Sequence, residues 1–463
     1  MGKISGHPYI PNSVPEIKAQ MLQEIGIDSV EDIFKEIPDH LRFHGEMKLP
    51  EPILSEYALK RHVDGILAKN KACHQYTSFL GAGTWQHYVP AVCDTIASRD
   101  EFLTCYVGDA YSDHGKFQAL FESASMIGEL VDMDVVNTPT YDWANAIAIS
   151  CRMAARINGR KEILVPKAMS PSRLAVVKNY CKPEIEVVQV AYDRNTGLLD
   201  LDDLKKKISS KTSAVYFENP TYLGTIEVQG GEISEIAHQN GAEVIVGVDP
   251  SSLGVLEAPA VYGADIVCGE LQPFGMHMQW GGGLSGFIAS RDEKKYVAEY
   301  PSLLFGLTPT AKEGEYGFGE VFYERTSYAS REKGKDFIGT CTALYGITAG
   351  VYLALMGPQG MKELGEGIMQ RVRYAIDRIS KIEGVKIVFS GFNFKEFVVN
   401  FDGTGKSVRE INQALKLLKI FGGKDISAEF PELGQSALYC ITEVHNQEDI
   451  DKLVAGLAEV CLI

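Results

Sequence analysis

Asp249 closes the apolar run in "AEVIVGVDPSSLG", and "IVCGELQPFGMHMQWGGGLSGFIAS", residues 266–290, follows with a glycine-rich turn. In open α/β sheets, ligands gather beyond the carboxyl ends of the strands. An aspartate there can keep a pyridinium nitrogen protonated, which makes the ring an electron sink. Aspartate, short strand and glycine-rich turn is the layout of a pyridoxal-phosphate site, and that chemistry also needs a lysine for the Schiff base. No lysine occurs between Pro250 and Arg291; the first after Asp249 is Lys294. The plainer reading of Asp249 is a loop residue capping the turn "DPSS".

Three further stretches have two readings each. "FLGAGTWQHYVPAVCD" offers His87 and Tyr88 as donors on a loop that allows close backbone approach, or it is a tight turn around a core tryptophan. "WGGGLSG", residues 280–286, can cradle a phosphate, but without a following Lys-Ser or Lys-Thr it is no P-loop. It also reads as a sharp turn into the strand "SGFIAS". Arg331 to Lys333 with Lys335 is a displaced reactive-lysine site or, more plainly, charged helix surface.

The elements that must position these residues follow an alternating pattern between about 115 and 330. Val- and Ile-rich runs such as "EILVP", "IEVVQVAY", "TSAVYFENP" and "AEVIVGVD" alternate with helical stretches. Near-continuous apolar strands between helices predict a doubly wound, mostly parallel sheet covered on both faces. Residues 1–60 read as a helical arm. Ile17, Met21, Leu22 and Ile25 follow helical spacing to Gly26, and Ser29 with Asp32 forms a capping box for a second helix ended by Pro38. Such an arm needs the main domain or a partner subunit to lie on. Residues 61–340 form the large α/β domain. From 341 to 463 a long apolar helix leads into a small α+β domain.

With 45% hydrophobic and 23% charged residues, the chain has ample material for a core,. The formal charge of −16 and the lack of a basic stripe argue against nucleic acid,. No apolar run approaches the length of a membrane helix, and no signal peptide is visible, which places the chain in the cytoplasm. The nine cysteines contain no Cys-x-x-Cys, so zinc and dithiol chemistry are not expected,.

The order and spacing of many segments resemble one family nearly end to end. They include "YIPN", "MLQEIGIDSVEDIFKEIP", "SFLGAGTWQHYVPAV", "YDWANA", "YDRNTGLLDLDDL", "YGADIVCGELQPFG", "GPQGM", "KEFVVNF" and "FPELGQSALYCITE". The chain resembles subunit 1 of the two-subunit glycine dehydrogenase (decarboxylating), the P-protein of the glycine cleavage system. The resemblance implies an α/β architecture of the pyridoxal-phosphate-dependent transferase fold type I, in a copy that has lost its Schiff-base lysine. "GELQPFG" stands where the catalytic relative carries His-Lys, so Asp249, Glu270, Gln272, Gly281 and Gly282 form a vestigial cofactor site. Pyridoxal phosphate then belongs to subunit 2, the partner in an α2β2 heterotetramer that decarboxylates glycine and passes the aminomethyl group to lipoyl-bearing H-protein. His87, Tyr88, Tyr106, Trp143 and Asn145 are the candidates to reach the partner's site and its amino-acid substrate, and the isolated chain is expected to be inactive.

Several loops depart from the family pattern. "CYVGDAYSDHG" keeps Tyr106 but differs at the residues after it, Trp143 stands where glycine is usual, and "DFIGTCTA" replaces the family's Asn-Ile-Cys-Thr-Asn run. Aromatic bulk in a pocket changes which side chain fits. Two alternatives therefore stand beside the first reading: a paralogue for another amino acid or an N-substituted glycine, and a catalytically silent scaffold or regulatory homodimer.

Overall fold

The computed structural model describes residues 6–7, 9–103, 114–321, 334–339 and 341–462. They fall into two compact units, Met1–Lys71 and Ala72–Ile463.

The first unit contains α1 (Pro15–Ile25) and α2 (Glu56–Leu67). Gly26 stops α1 in the left-handed conformation, and its N–H returns to Leu22 and Gln23,. Ser29 and Asp32 form the expected capping box, but it opens a 3-10 helix, Val30–Glu36, rather than an α-helix. Between Gly26 and Pro38 the chain has room for little more than two turns, and short runs favour the tighter helix. No residue of α1 or α2 is buried, so the unit has no core of its own.

The second unit is built on seven strands: β1 (Val135–Val136), β2 (Glu162–Pro166), β3 (Glu186–Val190), β4 (Thr212–Asn219), β5 (Glu243–Val248), β6 (Ile266–Glu270) and β7 (Gly286–Ser290). Their order is β1-β7-β6-β5-β4-β2-β3. β2 to β6 run parallel, and β7 is antiparallel to both its neighbours. Every residue of β4 and β6 is buried, as a sheet covered on both faces requires,. Alternate side chains feed separate cores. Val215, Phe217, Val246 and Val267 pack on one face, and Ala214, Tyr216, Ile245 and Ile266 on the other,. Against the second face lie α3 (Trp143–Asn158) and α4 (Pro171–Cys181). Against the first lies α5 (Ala343–Ile379), which is kinked at Gly357, φ 58°, just ahead of Pro358. No helix among the described residues is long and apolar enough to cross a membrane.

A second sheet joins β8 (Lys386–Ile387), β9 (Glu396–Asn400), β10 (Lys424–Asp425) and β11 (Ser436–Cys440), all antiparallel, in the order β8-β9-β11-β10. Phe397 of β9, with Ile411, Leu415 and Leu453 from two helices of this lobe, belongs to the same core as Val215 and Phe217. The hydrophobic interior thus runs unbroken from the large sheet into the small one.

Gly224, just beyond β4, is the tightest crossing between the two sheets. It sits at φ +88°, and a Cβ there would lie 2.0 Å from the carbonyl oxygen of Glu396. Only glycine meets both demands. Gly224→Ala combines a backbone clash with left-handed strain and should cost about 3 kcal/mol or more in urea unfolding. A variant as stable as the parent would show that β9 is not held at this point.

Candidate functional site

Asp249 directly follows β5, and Gln272 lies two residues beyond β6. Both stand at the carboxyl ends of parallel strands, where sheets of this kind hold ligands. Asp249 does cap its turn: Oδ1 accepts the Ser251 N–H at 3.2 Å and the Ser251 hydroxyl at 2.7 Å. Its other oxygen takes a partner from the far end of the chain. Lys395, the residue before β9, places Nζ 2.6 Å from Oδ2, and both side chains are almost fully buried.

That ammonium is fixed on every side. Nζ lies 3.0 Å from His87 Nε2 and 3.7 Å from the centre of the Trp85 ring, a cation–π contact,. An ammonium has only donors, so Nε2 of His87 accepts, and Nδ1 carries the proton donated to Glu443 Oε2 at 2.8 Å,. The other Glu443 oxygen accepts the Tyr88 N–H at 2.7 Å. Burial raises the Glu443 carboxyl, while the His87 Nδ1–H and the Tyr88 N–H pull it down, and the group lies below its ordinary value.

Gln272, in the "GELQPFG" turn beyond β6, is fully buried and structural. Its Oε1 accepts the Trp85 N–H at 3.0 Å, and its Nε2 donates to the Trp85 carbonyl at 2.9 Å and the Met276 carbonyl at 3.2 Å. The amide grips the Trp85 backbone as a neighbouring strand would. Glu270, the last residue of β6, accepts backbone N–H groups of Gln272, Ser285 and Trp143 at 3.1, 2.6 and 3.1 Å. Burial lifts its carboxyl to about 8 against the pull of those donors.

Trp143 opens α3 and is buried at 4% exposure. Arg173, from α4, lays its guanidinium 3.9 Å from the Trp143 ring and pairs with Glu218 at 3.1 Å. Two first-turn N–H groups of α3 are taken, Trp143's by Glu270 and Asn145's by Asp142, which caps it at 2.7 Å. Asn145 is itself buried and donates to the Tyr180 hydroxyl at 2.9 Å.

The cofactor suggested by this layout does not fit these residues. Trp85, Trp143, Arg173, Asp249 and Lys395 leave a cavity of about 20 Å³, whereas a cavity that admits a benzene ring measures about 150 Å³. A helix N-terminus suits a phosphate, yet two first-turn N–H groups of α3 already meet carboxyl oxygens of Glu270 and Asp142. Three buried donors, Trp85 Nε1, Trp143 Nε1 and Arg173 Nε, have no hydrogen-bond partner, and Trp143 and Arg173 also line a larger opening of about 270 Å³ that Gly281 borders. The N–H groups of Gly281 and Gly282 are spent on Met278 and Gln279 carbonyls within their turn. Lys395 is no substitute for the Schiff-base lysine. It sits on the carboxylate that would meet the ring nitrogen, and the aldehyde of pyridoxal lies across the ring from that nitrogen. A protonated amine with filled donors is also no nucleophile.

The structure thus joins Trp143, Glu270, Gln272, His87 and Asp249 in one chain of contacts through Trp85 and Lys395. Tyr88 stands at its edge, 65% exposed. Tyr106 lies outside the described residues, as do Arg331 to Lys333. Lys335 is not on a helix; it pairs with Glu299 from irregular backbone. Sequence reading missed Lys395, Glu443 and Arg173. "KEFVVNF" carries the signal for the first, a Lys-Glu pair directly ahead of an apolar strand.

A family model of the glycine cleavage system P-protein matches residues 7–457. A probable glycine dehydrogenase (decarboxylating) subunit 1 from Staphylothermus marinus is 40% identical, over 99% of each chain. The protein so named in Pyrococcus horikoshii is 40% identical over 98% of this chain and 100% of its own. A crystal structure of glycine decarboxylase (P-protein) of the glycine cleavage system, in inhibitor-bound form, matches with a TM-score of 0.84 at 31% identity, covering 96% of this chain and 98% of that one. The architecture is that of the pyridoxal-phosphate-dependent transferases of fold type I.

Two measurements test the site. Gln272→Leu strands a buried N–H and a buried carbonyl of Trp85 and should lower stability by about 2–4 kcal/mol; a smaller loss would mean that the loop holds without the amide clamp. Against the lift of burial, hydrogen bonds from His87 and Tyr88 hold the Glu443 carboxyl below its ordinary value when folded, so its stabilisation is present above the ordinary carboxylate pKa and is lost as pH falls. Acid unfolding below about pH 5 should show a loss of stability that Glu443→Gln lacks.

Proposed function

Since the chain belongs to the glycine cleavage system P-protein family, we propose that it is the cofactor-free subunit 1 of a two-subunit glycine decarboxylase. One observation supports this reading: the turn beyond β6, the segment that the resemblance matches to the relative's His-Lys, has no lysine, and its Gln272 amide is wholly engaged with Trp85 and Met276. The family chemistry then needs a partner, subunit 2, with pyridoxal phosphate on its own lysine and an α2β2 assembly. On that partner the cofactor supplies the electron sink for loss of the glycine carboxylate, and the aminomethyl group passes to lipoyl-bearing H-protein. This chain contributes shape and donors. Tyr88 is the candidate to meet the partner's site, held from behind by Glu443, while His87 is buried and positions it. Trp143 packs against Arg173 inside this chain, and this favours glycine chemistry with a refilled interior over a pocket recut for a larger amino acid.

Co-expression with the subunit 2 homologue of the same genome, followed by glycine–bicarbonate carboxyl exchange with lipoylated H-protein, tests the proposal. Exchange is expected in the mixture and in neither subunit alone. A stable complex that turns over other amino acids but not glycine would overturn the substrate assignment, and failure to form a complex would overturn the subunit assignment.

A further inference from the structure

Lys395 is 2% exposed, and its ammonium meets Asp249, His87, the Trp85 ring and, at 3.4 Å, the Ser251 hydroxyl. A buried ammonium stays charged only where such groups replace its water. Asp249 is the residue whose carboxylate would face a pyridinium N–H, and here that oxygen faces the N–H of a lysine from the opposite lobe. Trp85, on which the ammonium rests, is held from behind by Gln272. The residues that would have bound the ring have thus become each other's partners, and about 20 Å³ remains between them.

The contacts continue outward. The ammonium fixes Nε2 of His87 as an acceptor, which leaves the proton on Nδ1 for Glu443, and Glu443 holds the Tyr88 N–H. A second tie, from the Ala82 N–H to Glu396 beside Lys395, holds the start of the same loop at 2.5 Å. Ala82 and Gly83 both have positive φ, so the loop is in a conformation that needs such ties.

We propose that Lys395 replaces the cofactor as the cationic partner of Asp249, closing the old site to any pyridine ring and turning it into the anchor of the loop at residues 81–90. Lys395 is then a positioning residue, acting on Tyr88 through His87 and Glu443. The role of Tyr88 rests on the functional reading above; the closure of the site does not.

The test uses the full-length chain as wild type, Lys395→Met, Asp249→Asn and the double variant. Each single change leaves a lone buried charge or an unmatched partner, and the melting midpoint should fall by about 5 °C. The double variant leaves neither and should regain most of that loss. Singles that melt with the wild type, or a double variant that sums the two losses, would overturn the pairing. Equilibrium dialysis against pyridoxine 5′-phosphate, which has no aldehyde to react with surface lysines, should show no binding to the wild type; binding in this site, abolished by Gln272→Leu or Trp143→Ala, would overturn the closure.

The anchor is read in the complex with subunit 2. The double variant, folded but without a donor to His87, should lose between about ten- and a hundred-fold in kcat for carboxyl exchange with little change in KM, while complex formation by size exclusion is kept. Wild-type exchange from the double variant would overturn the positioning role. If the wild-type mixture shows no exchange at all, the functional reading fails, and the melting and dialysis results still decide the closure.

Discussion

A lysine ammonium 2.6 Å from an aspartate, with both out of reach of water, is the contact on which the interior of this chain depends. Neither ion is tolerable there alone; breaking such a pair costs about 3–5 kcal/mol, although replacing both ions with apolar groups can be neutral. The pair therefore does little for net stability. What it does is specify: a lysine just before the small sheet's β9 must meet an aspartate just after the large sheet's β5, and Trp85, His87 and Ser251 are arranged around that meeting.

The meeting is possible because the two sheets approach at backbone distance. Gly224 lets the chain beyond β4 lie against the start of β9. Phe79 accepts from the Cys440 N–H and donates to the Phe421 carbonyl, and the Thr442 hydroxyl donates to the Gln86 carbonyl. The segment after residue 77 is thus sewn to the small sheet before it reaches the mouth of the large one. With a continuous apolar core behind it, the Lys395–Asp249 contact is a packed junction between lobes, while the larger opening lies on the far side of Trp143 and Arg173.

Much of this architecture was legible from local pattern. Strands β4 and β6 declare themselves because residues buried on both faces must be apolar, and the glycine at 26 marks its helix end by conformational necessity. The 3-10 helix at Val30–Glu36 was not legible, since capping chemistry is shared by both helix types. Lys395 was missed for a different reason. A search for an amine near Asp249 in sequence stops at Arg291, while the lysine that reaches the neighbouring Ser251 is 144 residues away from it. Asp249, Gln272 and His87 were visible singly by residue type; that one cation links them depends on strand pairing and lobe packing, which leave no short-range mark. Trp143 drew notice as bulk in place of glycine, and its ring proves to be the floor under Arg173.

The grip of Gln272 on both the N–H and the carbonyl of Trp85 has a historical consequence. A lysine at position 272 would find no free space, leave both of those backbone groups without a partner, and add a second ammonium to a site that already has one. If the chain is the cofactor-free subunit proposed above, return to a working cofactor site would demand coordinated change there and at positions 395 and 143, with each single step passing through a buried unpaired group. On that reading the division of labour between two chains would be a ratchet: easy to enter by losing one amine, and closed behind the lineage once the vacated room is filled.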